Sequence, residues 1–196
     1  MSARIPPGFA EIWVKFALPG DAEPMFSSLA VDLAPGESAT LTLANSLMDV
    51  MLTNLDNVLS SSYAVQPGYV LFGNDGGDIR IDSTSTEQQG DVGENALPNN
   101  CAVLVRKVTG EGGRRNRGRM FIPGISEEAV DATGAIAGTP LSNWNSAFDD
   151  IQTTLVGLAT VDNLVLLHDS APHTPTVITD LVVQPKIATQ RRRLRP

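Results

Sequence analysis

The sequence predicts an α+β domain: a mainly antiparallel sheet with two amphipathic helices packed on it and a projecting Arg-rich β-hairpin. Three observations predict it. Short stretches of alternating apolar and polar residues come in groups, which favours antiparallel pairing over a doubly wound fold. Two longer stretches switch to apolar spacings of three and four, the period of a helix with one buried face. Four arginines, Arg114, Arg115, Arg117 and Arg119, fall within six residues on a glycine-rich frame between two stretches that can pair.

Residues 9–18, FAEIWVKFAL, alternate as a strand after the irregular Pro6-Pro7. Pro19-Gly20-Asp21 reads as a turn, and a second strand follows at 25–33, giving a hairpin. Pro35-Gly36 ends it. From Thr42 to Ser60 the period changes: Leu41, Ala44, Met48, Met51 or Leu52, Leu55 and Leu59 mark one helical face, although SATLTLA at its start also suits a strand. Pro67-Gly68 closes the connection to short strands at 69–73 and 78–82 around the turn Asn74-Asp75-Gly76-Gly77. Residues 83–100 are polar and read as a long exposed loop, of a length that usually serves as a contact arm or mobile segment.

CAVLVRKVT (101–109) is the clearest strand, and RMFIP (119–123) can pair back with it, so the arginines occupy a hairpin tip. Gly110, Gly112, Gly113 and Gly118 allow that tip positive φ or close backbone approach. Residues 124–140 are small and acidic, as a surface segment is. Thr139-Pro140 then offers an N-cap and a first-turn proline, and Leu141, Trp144, Phe148, Ile151, Leu155 and Leu158 predict a second helix over 141–159. Strands at 163–168 and 176–184 flank a proline-broken loop. The expected organisation is a single α+β domain over 1–185 and a basic C-terminal arm over 186–196.

Composition excludes several classes. With 42% hydrophobic and 18% charged residues, the chain has the make-up of a folded protein, not a disordered one. No apolar run reaches the roughly 18 to 20 residues that cross a bilayer, and the N-terminus lacks the features of a signal peptide. The expectation is a soluble protein made in the cytoplasm, without membrane contact. The single cysteine, Cys101, opens an apolar strand and reads as a buried, inert thiol.

No catalytic or metal signature stands out. His168-Asp169-Ser170 are adjacent on a strand and its end, so they cannot assemble a hydrolase triad by themselves, and no nucleophile elbow accompanies them. His168, His173 and Asp169 match no usual metal spacing. Asp75, Asp78 and Asp82 lack the spacing of a calcium loop, and the glycines at 110–118 are not followed by the Lys-Ser/Thr of a phosphate loop. The expectation is no enzyme and no cofactor.

The charge pattern is more informative. The net charge of −8 divides unevenly. Residues 1–105 carry 3 basic and 13 acidic side chains, and residues 106–124 carry 6 and 1. Residues 125–185 carry 0 and 8, and residues 186–196 carry 5 and 0. Such segregation bears on interaction, not fold. The arginine loop admits three readings: a solvated tip, a phosphate grip on nucleic acid, or arginine forks on the carboxylates of a neighbouring acidic body. No aromatic residue sits among the arginines, which weakens single-strand stacking. Subunit contact is favoured slightly over nucleic acid. The tail, with Arg191, Arg192, Arg193 and Arg195, is either a flexible arm or one docked on a partner.

Three stretches carry a resemblance: NNCAVLVRKVTGEGGRRNRGRMFIP, LLHDSAPHTPT and IATQRRRLR, with GGRRNRGRMFIP (112–123) and ATQRRRLR (188–195) the most specific. They resemble an uncharacterised family of tailed-bacteriophage virion structural proteins, over most of the chain. The resemblance implies a particle component located in the virion, oligomeric, and contacting other virion proteins. It implies that the arginine loop and tail are assembly or DNA-facing elements. The favoured place is the neck or tail, as a head–tail junction or tail-completion ring. A capsid-surface cement or decoration protein and a nucleic-acid-binding accessory protein are the alternatives, and contact with packaged DNA stays open.

Overall fold

The computed structural model describes residues 5–20, 22–90, 101–107, 117–124, 147, 150–151, 154–155, 163–167 and 176–177; of these, 101–107, 117–119, 163–167 and 176–177 are described through their backbone. The chain is α+β with antiparallel sheets. Strands β1 (Phe9–Ala17) and β2 (Met25–Asp32) form a hairpin in register from Phe9 opposite Asp32 to Phe16 opposite Met25. Helix α1 (Leu41–Asp56) then crosses over, and β3 (Ala64–Phe72) returns antiparallel to the other side of β1. Strand β4 (Ile79–Asp82) and the short β5 (Gln88–Gln89) both pair with β3, completing a first sheet ordered β2-β1-β3-β4.

A second sheet is ordered β7-β6-β8-β9. It comprises β6 (Cys101–Lys107), β7 (Arg117–Pro123), β8 (Asn163–Leu167) and β9 (Thr176–Val177), all antiparallel. β7 joins the two sheets. Its Met120 and Ile122 are buried in the core of the first, and the Phe121 N–H donates to Ser27 Oγ at 2.7 Å. At its end, the Ser60 N–H donates to the Gly124 carbonyl at 2.9 Å. Gly124 has φ +67°, and a Cβ there would overlap the Tyr63 ring, so this contact requires glycine.

The core lies on one face of the first sheet. Ile12, Val14 and Phe16 of β1, Leu29 and Val31 of β2, and Val65, Val70 and Phe72 of β3 point into it. Ala44, Leu47, Met48, Met51, Leu52 and Leu55 of α1 cover them. Thr40 settles where the helix begins: its hydroxyl accepts the Leu43 N–H at 3.2 Å as an N-cap, so SATLTLA leads into a helix. Leu41, expected on the buried face, is 48% exposed because it stands at the first helical position, outside the sheet's cover. Of the expected second helix, Ala147, Asp150, Ile151 and Thr154 are helical, and Ala147, Ile151 and Leu155 enter the same core. Leu155 itself stands at a bend, so the described helix ends at Thr154 and not at 159 as expected; the remainder of 141–159 lies outside the described residues.

Two expectations change. β3 does not begin after Pro67-Gly68; it runs through them as a β-bulge. Below the bulge Val14 faces Pro67, and above it Trp13 faces Tyr69, so Gly68 is the extra residue. A bulge tolerates proline where a regular central strand does not. A Cβ on Gly68 would overlap the Trp13 carbonyl oxygen, so the close approach needs glycine. The polar segment after β4 is tied down over 83–90. Ser83 Oγ and the Thr84 N–H both donate to Asn45 Oδ1 at 3.0 Å, and Asn45 Nδ2 donates to Thr84 Oγ1 at 2.9 Å. Residues 91–100 lie outside the described residues.

Candidate functional site

Helix and β7 cover one face of the first sheet; the other carries a row of aromatic and charged side chains. Alternation along β1 sends Glu11, Trp13 and Lys15 to this outer face. Ser28 and the half-exposed Phe26 stand there on β2, and Arg80 and Asp82 on β4. Tyr69 reaches the outer face only because of the bulge. An unbroken register would set Gly68 opposite Trp13 and turn Tyr69 inward, with Val70 and Phe72 outward.

The resulting row runs across all four strands. The Trp13 and Tyr69 rings stack with centroids 5.7 Å apart and planes inclined by 17°. The Arg80 guanidinium lies over the Tyr69 ring, 3.8 Å from its centroid, on the face that Trp13 leaves free. Arg80 Nη2 and Nε reach Asp82 Oδ1 at 2.6 and 3.0 Å, so one carboxylate orients the cation on the ring. At the other end, Glu11 is held by two donors: Trp13 Nε1–H to Oε2 and Ser28 O–H to Oε1, each at 3.1 Å. Each aromatic contact in such a row contributes about 0.5–1.5 kcal/mol, and the exposed Arg80–Asp82 pair at most about 1 kcal/mol. The row is therefore an ordered surface more than a source of stability. Beside it, Phe26, Pro67, Gly68, Tyr69, Arg80 and Asp82 line a shallow groove of about 400 Å³.

The arginines expected to act are placed in part. Arg117 and Arg119 lie on β7, opposite Lys107 and Val105 of β6. Arg114, Arg115, Arg191, Arg192, Arg193 and Arg195 lie outside the described residues, as do His168, Asp169, Ser170 and His173. Asp78 Oδ1 accepts the Ile5 N–H at 3.2 Å and Asp82 holds Arg80, so both serve protein contacts. Among the described residues no group of His, Cys, Asp and Glu is arranged to hold a metal ion, and no helix is long and apolar enough to cross a membrane. The outer row escaped sequence reading except for one signal, a tryptophan among the charged residues of the polar face of β1. Comparison with protein-family models, with curated proteins and with solved structures finds no match.

Proposed function

We propose that the chain is an oligomeric structural component of a tailed-phage virion, placed at the neck or tail as a head–tail junction or tail-completion ring. The observation that carries the assembly reading is the uncovered outer face of the first sheet. Trp13, Tyr69, Phe26 and Arg80 are the residue types enriched at the energetic centres of protein interfaces. They stand in an ordered row on a face that no part of the described chain covers. The place in a phage particle rests on the resemblance of GGRRNRGRMFIP and ATQRRRLR to virion proteins.

In this reading β6 and β7 carry a projecting hairpin with Arg114, Arg115, Arg117 and Arg119 towards its tip, and the second helix extends from the helical Ala147, Ile151 and Thr154 back towards 141. The arginines contact carboxylates of a neighbouring subunit, and Arg191, Arg192, Arg193 and Arg195 of the tail reach a further partner in the particle. The protein has no catalytic role and is made in the host cytoplasm. The competing reading, a nucleic-acid-binding accessory protein, is favoured by the glycine-framed arginines alone. Alanine at Arg114, Arg115, Arg117 and Arg119 separates the two. The assembly reading expects this variant to lose oligomers on a sizing column, with the wild-type protein free of material absorbing at 260 nm. Oligomers that persist, with loss only of salt-releasable nucleic acid, would move the function to DNA contact.

A further inference from the structure

The outer row already contains one seated arginine. Arg80 stands over an aromatic face and is steered by a carboxylate at its fork. The opposite end of the row repeats these components without the cation. Trp13 gives one ring face to Tyr69, and its cross-strand neighbour on the other side is the small Ser28. Glu11 stands alongside, fixed by the Trp13 and Ser28 donors. A carboxylate has about four lone-pair sites, so two remain for a guanidinium. Among the described residues no cation pairs with Glu11.

We propose that this Trp13–Glu11 end of the row is the docking seat for an arginine of the 114–119 cluster of a second copy of the chain. The inference rests on the assembly reading and names the acidic surface that its arginines meet. Charge complementarity supports it. Residues 5–20 and 22–90 hold ten acidic and two basic side chains, whereas residues 106–124 hold six basic and one acidic. The placement of β7 favours a second copy as the donor. β7 holds the backbone of Arg117 and Arg119 and packs Met120 and Ile122 into the core on the inner face of the first sheet. Trp13 and Glu11 stand on the outer face, with the sheet between. Seating the cluster of one copy on the outer face of the next makes a head-to-tail contact, which closes into a ring or continues as a stack.

Two variants test this by mixing. Glu11→Lys spoils the seat and keeps the arginines; alanine at Arg114, Arg115, Arg117 and Arg119 spoils the cluster and keeps the seat. Each alone is expected to be a 20.8 kDa monomer by light scattering at low salt. Mixed in equal amounts, they are expected to form a 1:1 heterodimer, since one intact seat meets one intact cluster. Heterodimer formation also shows that both variants fold. Should Glu11→Lys keep the wild-type oligomer while the alanine variant does not, the seat is elsewhere and only this inference falls. Oligomers retained by the alanine variant would overturn the seat and the arginine contact together. Glu11→Gln serves if the lysine variant misfolds: its amide oxygen still accepts the Trp13 Nε1–H, its NH2 can donate to the Ser28 hydroxyl, and the charge is removed. It is expected to raise the assembly midpoint concentration about tenfold or more, and an unchanged midpoint overturns the proposal.

Discussion

Ser60 and Gly68 show how single residues set this structure. The Ser60 backbone is fully used, accepting from Tyr63 N–H and donating to the Gly124 carbonyl, while its hydroxyl is buried without a hydrogen-bond partner among the described residues. Burial of an unmet hydroxyl is unfavourable, so Ser60→Ala should leave the backbone contacts intact and stabilise the protein by up to about 1 kcal/mol in chemical denaturation. A clear loss of stability would mean that the hydroxyl has a partner. Gly68 acts in the opposite sense. A side chain there meets the Trp13 carbonyl, so Gly68→Ala should destabilise by about 1–3 kcal/mol. Because the bulge alone brings Tyr69 beside Trp13, the near-ultraviolet circular dichroism of the pair should change too. A variant with wild-type stability and spectrum would contradict the bulge.

At the scale of elements, the legible features were those with a strong local period. The alternation of FAEIWVKFA gave β1, and the Met/Leu spacing gave α1, because burial of one face dictates both patterns. The start of α1 became clear only through the Thr40 cap, a side-chain geometry that the ambiguous SATLTLA does not reveal. Pro67-Gly68 reads as the close of a connection, which shortens β3, because in one dimension a bulge and a connection use the same residues. The Trp13–Tyr69–Arg80 row was hidden for the same reason: its assembly depends on a register shift between strands distant in sequence. The segment after β4 reads as a long exposed loop because its anchors, Asn45 and Thr84, are polar residues 39 apart. Asn45→Ala removes three hydrogen bonds to this segment and should expose residues 83–90 to limited proteolysis while α1 retains its helicity. Unchanged cleavage would show that pairing of β5 with β3 suffices to hold it.

At the scale of the whole molecule, two properties bear on assembly. Charge is segregated along the chain, with basic stretches at 106–124 and 186–196 alternating with acidic ones at 1–105 and 125–185. The first sheet is also two-sided, with a packed core on one face and an ordered aromatic and charged row on the other. The charge pattern was legible from composition alone, because counting needs no fold. The outer row was not, because it is built from β1, β2, β3 and β4 together. Contacts between exposed charges weaken as salt rises above the point where the screening length falls to roughly 10 Å, near 0.1 M. The solution mass of the wild-type protein by light scattering, at low and high salt with the absorbance ratio recorded, tests the central claim most directly. The assembly account predicts a discrete oligomer free of nucleic acid at low salt that loosens at high salt. A 20.8 kDa monomer that carries nucleic acid and releases it in salt would contradict it.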